Sequence, residues 1–301
     1  MKTGKKLTGF AVYSVTAFSA FIIILAVALM MAVIIWGGYP TLTWEFLSSA
    51  PSEGMTKGGI FPAIVGTFFL VVIMSFIGVP IGTMTAIYLC EYAKPNSIFS
   101  RIIRFAVNTL AGVPAIVFGL FGLGFFVHFV GAGVDSVVTG GTRLVWGKPN
   151  LLWASLTMAF MTLPVVIVSV EEAIKAVPKE YKEASLALGA TKWETISKVI
   201  LPNSIEGVLT GAILAVSRGA GEVAPILFVG AAYFIPYLPN SLSDQFMELG
   251  YHIYIMSTQS TNVEATAGIQ YATTLVLLLM TFGLNFAAIF LRYKARQRLI
   301  R

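Results

Sequence analysis

Six stretches of the chain, residues 16–36, 61–89, 105–130, 151–170, 205–234 and 270–291, are nearly unbroken apolar runs separated by polar segments. About 20 helical residues cross a bilayer, so each run predicts one transmembrane helix. Several runs exceed one crossing, which predicts tilt, kinks or ends that project into water. The pattern is that of an all-α polytopic membrane protein with six spans. One polar island, residues 183–202, stands apart. Pro178 suits a first helical turn, and Gly189 suits a left-handed stop after Leu188. Between them Tyr181, Ala184, Ser185 and Leu188 share one small-residue face. Thr191 and Glu194 form a capping box that restarts a helix through Ile196, Val199 and Ile200, with an end expected at Pro202. The prediction is a helix, a tight turn and a second helix, a shape suited to docking in a groove of a soluble partner.

Basic residues orient the spans. Lys2, Lys5 and Lys6, then Lys94, Arg101 and Arg104, then Lys175, Lys179, Lys182, Lys192 and Lys198 all fall on one side, with the tail (Arg292, Lys294, Arg296, Arg298, Arg301). Only Lys57, Arg143 and Lys148 fall on the other. The positive-inside rule therefore predicts cytoplasmic termini and a cytoplasmic central loop, with the basic tail against lipid headgroups. The first apolar run is long enough to cross a bilayer and has no small-residue cleavage site, so it reads as a retained span.

Composition narrows the function. Of 301 residues, 57% are hydrophobic and 11% charged, as in a polytopic membrane protein. The net charge of +6 sits in the loops without an aromatic-basic stripe, so nucleic acid is not an expected partner. A single cysteine, Cys90, and two distant histidines, His128 and His252, point to neither a disulfide framework nor a metal site. No GxxxxGK loop is present, so the chain is not expected to hydrolyse ATP or to carry a catalytic residue or cofactor of its own.

The fifth run holds two charges, Arg218 and Glu222, one helical turn apart and flanked by Ser217, Gly219, Gly221 and Pro225. A charge at membrane depth costs several kcal/mol unless it is paired or faces water, so both are expected to face the bundle interior. One reading is an anion pathway: the guanidinium offers donors to an oxyanion, Glu222 neutralises it when the site is empty, and Ser217 lies beside them. The other is a salt bridge that keeps the fifth span in register. Glu171 and Glu172, at the exit of the fourth run, are expected to be solvated.

Residues 183–202 resemble the cytoplasmic loop of ABC importer permeases, Glu-Ala-Ala, three residues, Gly, nine residues, Ile-x-Leu-Pro. Glu183, Ala184, Gly189, Leu201 and Pro202 match, while Ser185 and Val199 replace the second Ala and the Ile. Gly112-Val-Pro-Ala-Ile-Val-Phe-Gly and Gly221-Glu-Val-Ala-Pro-Ile-Leu-Phe further resemble the PstA-type phosphate permeases. The resemblance implies a type I ABC importer permease fold, with an N-terminal segment, first span and outer loop at 1–60, a permease domain at 61–301 and a coupling loop at about 171–204. It implies coupling through Glu183, Ala184, Gly189, Leu201 and Pro202. It also implies a heterodimer with a PstC-like permease, a PstB-like ATPase dimer that binds ATP and Mg, a PstS-like phosphate-binding protein and a prokaryotic cell membrane. The alternatives are an ABC permease for molybdate, sulfate or phosphonate, or a secondary anion transporter.

Overall fold

A computed structural model describes residues 2–53, 57–94, 97–260 and 263–299. The side chains of Lys2, Lys5, Lys6 and Arg298, and all of Arg301, lie outside the described residues. Helices dominate: α1 (Lys2–Gly38), α2 (Trp44–Ser48), α3 (Phe61–Ile87), α4 (Ile98–Ala111), α5 (Ala115–Phe121), α6 (Ala132–Val138), α7 (Leu151–Ala176), α8 (Lys179–Ala187), α9 (Lys192–Thr195), α10 (Leu201–Gly219), α11 (Leu249–Thr258) and α12 (Val263–Leu299). Three π-helical segments, Tyr88–Tyr92, Gly122–Gly131 and Ile196–Ile200, continue α3, join α5 to α6 and join α9 to α10. The only sheet among the described residues is a two-stranded antiparallel pair, β1 (Pro51–Ser52) with β2 (Lys57–Gly58).

Among the described residues, six helical stretches are long and apolar enough to cross a membrane: Val12–Thr41, Phe61–Tyr92, Ala115–Val138, Leu151–Ala176, Lys192–Gly219 and Thr266–Lys294. The number agrees with hydropathy, but the bounds of the third and fifth spans do not. The third span begins at Ala115, because Gly112–Pro114 breaks the chain. Pro114 has no N–H to give and disfavours helix at Val113. Residues 105–111 belong instead to the separate amphipathic helix α4, which buries Ser100 and Val107 and leaves Ile98, Phe99, Ile102 and Phe105 exposed. The fifth span ends at Gly219, not at 234, and the apolar residues beyond it are folded into an irregular segment.

Helix α7 is the axis of the bundle, packed between α3 and α10. Close approach is possible where side chains are missing: a β-carbon on Gly207 of α10 would stand 2.0 Å from Ala173 Cβ, and one on Gly82 of α3 would stand 2.6 Å from Val166 Cγ1. One core cluster unites Leu70, Met74, Phe118, Met158, Ile226 and Phe246, and a second unites Ile87, Ile167, Ile174, Ile196 and Ile200. Helix α1 lies at the edge, its Gly38 against the backbone of Tyr271 and Ala272 in α12, with the rest of its apolar surface exposed as lipid requires.

Residues 220–248 close the end of the bundle opposite α8. Irregular backbone among apolar helices must satisfy its own polar groups or those of a neighbour. The first turn of α7 shows how: Leu151 and Leu152 donate to the carbonyls of Asp244 and Leu242, Asn150 donates to that of Val229, and the Asn150 side chain accepts from Trp153 N at 2.9 Å. Nearby, buried Asp135 accepts from the backbone N–H groups of Val145, Trp146 and Gly147 and so fixes the loop between α6 and α7.

Candidate functional site

The helical turn between α8 and α10 forms much as its sequence predicts. Pro178 is the cap residue of α8, and Gly189 takes φ +85°, which lets the chain reverse without the Cβ clash other residues would meet. Thr191 Oγ1 accepts from Glu194 N while Thr191 N donates to Glu194 Oε2 at 2.9 Å, the reciprocal capping box. Tyr181, Glu183, Ala184 and Leu188 are exposed; Leu188 retains 89% of its surface. Ser185 instead turns inward to Thr195, 2.9 Å away.

Pro202 does not end the second helix. Leu201 N donates to Ile196 O in a π turn, and the widened turn accommodates the proline, which then occupies the first turn of α10. Leu201 and Pro202 therefore join the turn at Gly189 to the fifth span as continuous helix.

Behind this hairpin lies an ionic layer. Glu171 is buried, not solvated: its Oε2 accepts from Lys175 Nζ at 2.8 Å and from Arg104 Nη1 at 3.1 Å. Arg104 sits on α4, so only folding brings the compensating charge to a carboxylate that would otherwise stay in water. Glu172 remains exposed. Glu91, at the end of the π segment that extends α3, pairs with Lys182 of α8, and Lys192 stands 4.7 Å from the centre of the Tyr92 ring.

At the far end of α10 the two charges do meet, Arg218 Nε 3.4 Å from Glu222 Oε1. One feature departs from expectation. The helix stops at Gly219, so Glu222 is carried by the turn that follows. The pair also stays partly open on the surface of this single chain, with the Arg218 side chain 41% exposed. Gly219 is pressed on Met74, whereas Gly221 has open space around it. Ser217 faces away from the pair: its hydroxyl lies 2.7 Å from Asn285 Oδ1 of α12 and 2.9 Å from Ile213 O. Asn285, an amide within the apolar run of the last span, is a polar signal legible in the sequence.

Two further polar residues, Glu248 and His252, are buried beyond the fifth span. Glu248 is buried and caps α11 by accepting from Gly250 N at 2.9 Å and Tyr251 N at 2.6 Å. Burial pushes its carboxyl up from 4.5 to about 7, against the lowering effect of those two bonds. His252 is buried with no partner for Nδ1, and burial pushes it down to about 4. The native protein therefore holds a proton on Glu248 that the unfolded chain has released. That contribution to stability is complete below pH 4.5 and is lost as pH rises through 7. Melting midpoints across this window should fall more for wild type than for Glu248→Gln, with a difference on the order of 3 kcal/mol at most.

A family model described as binding-protein-dependent transport system inner membrane component matches residues 78–301. The probable ABC transporter permease protein YqgI of Bacillus subtilis is 32% identical over 272 residues, covering 86% of each chain. The phosphate transport system permease protein PstA of Mycobacterium leprae is 30% identical over 288 residues, covering 93% of this chain and 88% of its own. Among solved structures, a bacterial alginate ABC transporter chain aligns with a TM-score of 0.63 at 14% identity, over 96% of this chain and 95% of its own, a likeness of fold alone. The fold is that of a type I ABC importer permease, whose members are non-catalytic. With six helices long and apolar enough to span a membrane among the described residues, and a family match over residues 78–301, the chain is a multi-pass membrane protein and belongs to the family of binding-protein-dependent transport system inner membrane components.

Proposed function

We propose that the chain is a translocation subunit of an ATP-driven phosphate importer, set in a prokaryotic cell membrane with both termini and the turn at Gly189 in the cytoplasm. The observation that carries the reading is the Arg218–Glu222 pair, partly open on the chain surface where α10 gives way to irregular backbone. Charges at this depth need water or a second protein surface, and a pathway between two permeases supplies both. The PstA relative favours phosphate as the anion. Arg218 contacts or steers the oxyanion, Glu222 balances Arg218 in the empty site, and Ser217 holds that end of α10 to α12. Glu183, Ala184 and Gly189 meet the partner ATPase, which binds ATP and Mg, and Leu201 and Pro202 pass its motion into α10. A PstC-like permease completes the pore, a PstB-like ATPase dimer drives it and a PstS-like protein delivers phosphate.

The test is uptake of labelled phosphate into vesicles that hold the assembled complex. Uptake is expected to require ATP, and unlabelled phosphate should suppress it far more than equal molybdate, sulfate or phosphonate. Uptake that persists without ATP or without the ATPase would overturn the reading. Stronger suppression by one of the other oxyanions would move the substrate assignment to that anion.

A further inference from the structure

A cavity of about 660 Å³ separates α8 from the adjacent ends of α3, α4 and α7. Leu89, Ile174, Val177 and Ile200 line part of it, and five cations, Lys94, Arg104, Lys175, Lys179 and Lys182, surround it. Glu91 and Glu183 share the lining, and Glu171 lies behind it. Arg104 and Lys175 are paired with Glu171, and Lys182 with Glu91. Lys94 and Lys179 have no carboxylate partner among the described residues. Five cations against three carboxylates leave the cavity an excess of two positive charges, next to the N-terminus of α8, which adds its own partial positive charge.

Position specifies the ligand further. Helix α4 supplies Arg104 and Ser100 to the cavity while exposing Ile98, Phe99, Ile102 and Phe105, an apolar face that suits the acyl boundary of a bilayer. The cavity therefore opens at headgroup depth, with cations for a phosphate and an apolar wall for the start of a chain. We propose that it is a binding site for the phosphate headgroup of an acidic phospholipid, wedged between the coupling hairpin and the membrane ends of α3 and α4. The ligand adjoins Lys179, Lys182 and Glu183 of α8, while Ala184 and Leu188 lie outside the lining and stay free. A bound headgroup ties Lys179 of α8 to Lys94 beyond α3, which links lipid composition to the seating of the hairpin. This assignment stands on the cavity and is independent of the transported substrate.

The purified chain is offered an equimolar mixture of phosphatidylglycerol and phosphatidylcholine, and the retained lipid is counted by native mass spectrometry. Wild type should retain phosphatidylglycerol preferentially. Lys94→Gln/Lys179→Gln, which breaks no ion pair described above, should weaken that retention by roughly 30-fold, or about 2 kcal/mol, at about 1 kcal/mol per interfacial cation. Arg143→Gln/Lys148→Gln removes equal charge on the other side and should leave retention unchanged. Inorganic phosphate is then added: failure to displace the lipid supports the headgroup, whereas displacement by the free ion at equal concentration overturns the lipid assignment in favour of a soluble anion. Equal retention of both lipids, or equal losses in the two double variants, overturns the site.

Discussion

Arg218→Gln is expected to lower ATP-dependent phosphate uptake by at least about 30-fold while the complex still assembles. Truncating one partner of a buried charge pair costs about 2–5 kcal/mol; Arg218 is 41% exposed, so solvent screening discounts this to about the lower bound, which sets the factor. Two effects add. The oxyanion loses charge-assisted donors, and Glu222, 3.4 Å from Arg218 Nε in the native chain, is left as an uncompensated negative charge on the route of an anion. The Arg218→Gln/Glu222→Gln variant separates the pathway from a purely structural bridge. If the pair only holds α10 in register, removing both charges should recover most of the uptake. If the guanidinium meets the anion, the double variant should stay as slow as the single one. Normal uptake by Arg218→Gln would remove Arg218 from the pathway altogether.

Gly189→Asp should fold yet transport poorly, with uptake and substrate-stimulated ATP hydrolysis of the complex falling together by about tenfold or more. At φ +85° a residue with a side chain costs roughly 1–2 kcal/mol, the smaller value for Asp or Asn. No heavy atom of the chain lies within 4 Å of a β-carbon there, so the fold can absorb the change. The surface facing a partner cannot do so equally well, because a carboxylate would project from the turn between exposed Leu188 and the capping box. Gly189→Asn keeps the left-handed preference without the charge and should give an intermediate loss. A Gly189→Asp complex that transports normally would place the ATPase contact elsewhere on α8.

What the sequence disclosed divides by the range of the interactions involved. Pro178, Gly189 and the Thr191–Glu194 box each act within a few residues, so the hairpin could be read from its own segment. Span number follows from hydropathy, a sum that needs no partner. Hydropathy alone starts the third span too early because α4 is apolar enough to extend the run, and only the break at Gly112–Pro114 separates them. Residues 220–234 are equally apolar, but they fold back where carbonyls 229, 242 and 244 cap α7. Glu171 looked solvated because Arg104 lies 67 positions away, and the open side of Arg218 reflects how α10 meets its neighbours, which periodicity along α10 does not encode. Buried Glu248 likewise depends on a fold-back that no local pattern announces.

The π turn at Ile196–Ile200 has a geometric consequence for anyone choosing residues to line the pore. A π turn houses one residue more than the α-helical winding, so a helical wheel drawn without interruption from Lys192 to Gly219 slips by roughly 100° where the turn ends. Azimuths on α10 must be reckoned from Leu201 onward. On that reckoning Glu206, Thr210 and Ser217 form one stripe that meets Arg296, Arg292 and Asn285 of α12, while Gly207 and Gly211 turn toward α7. A cysteine scan phased from the hairpin at Gly189 would label the wrong side of the helix.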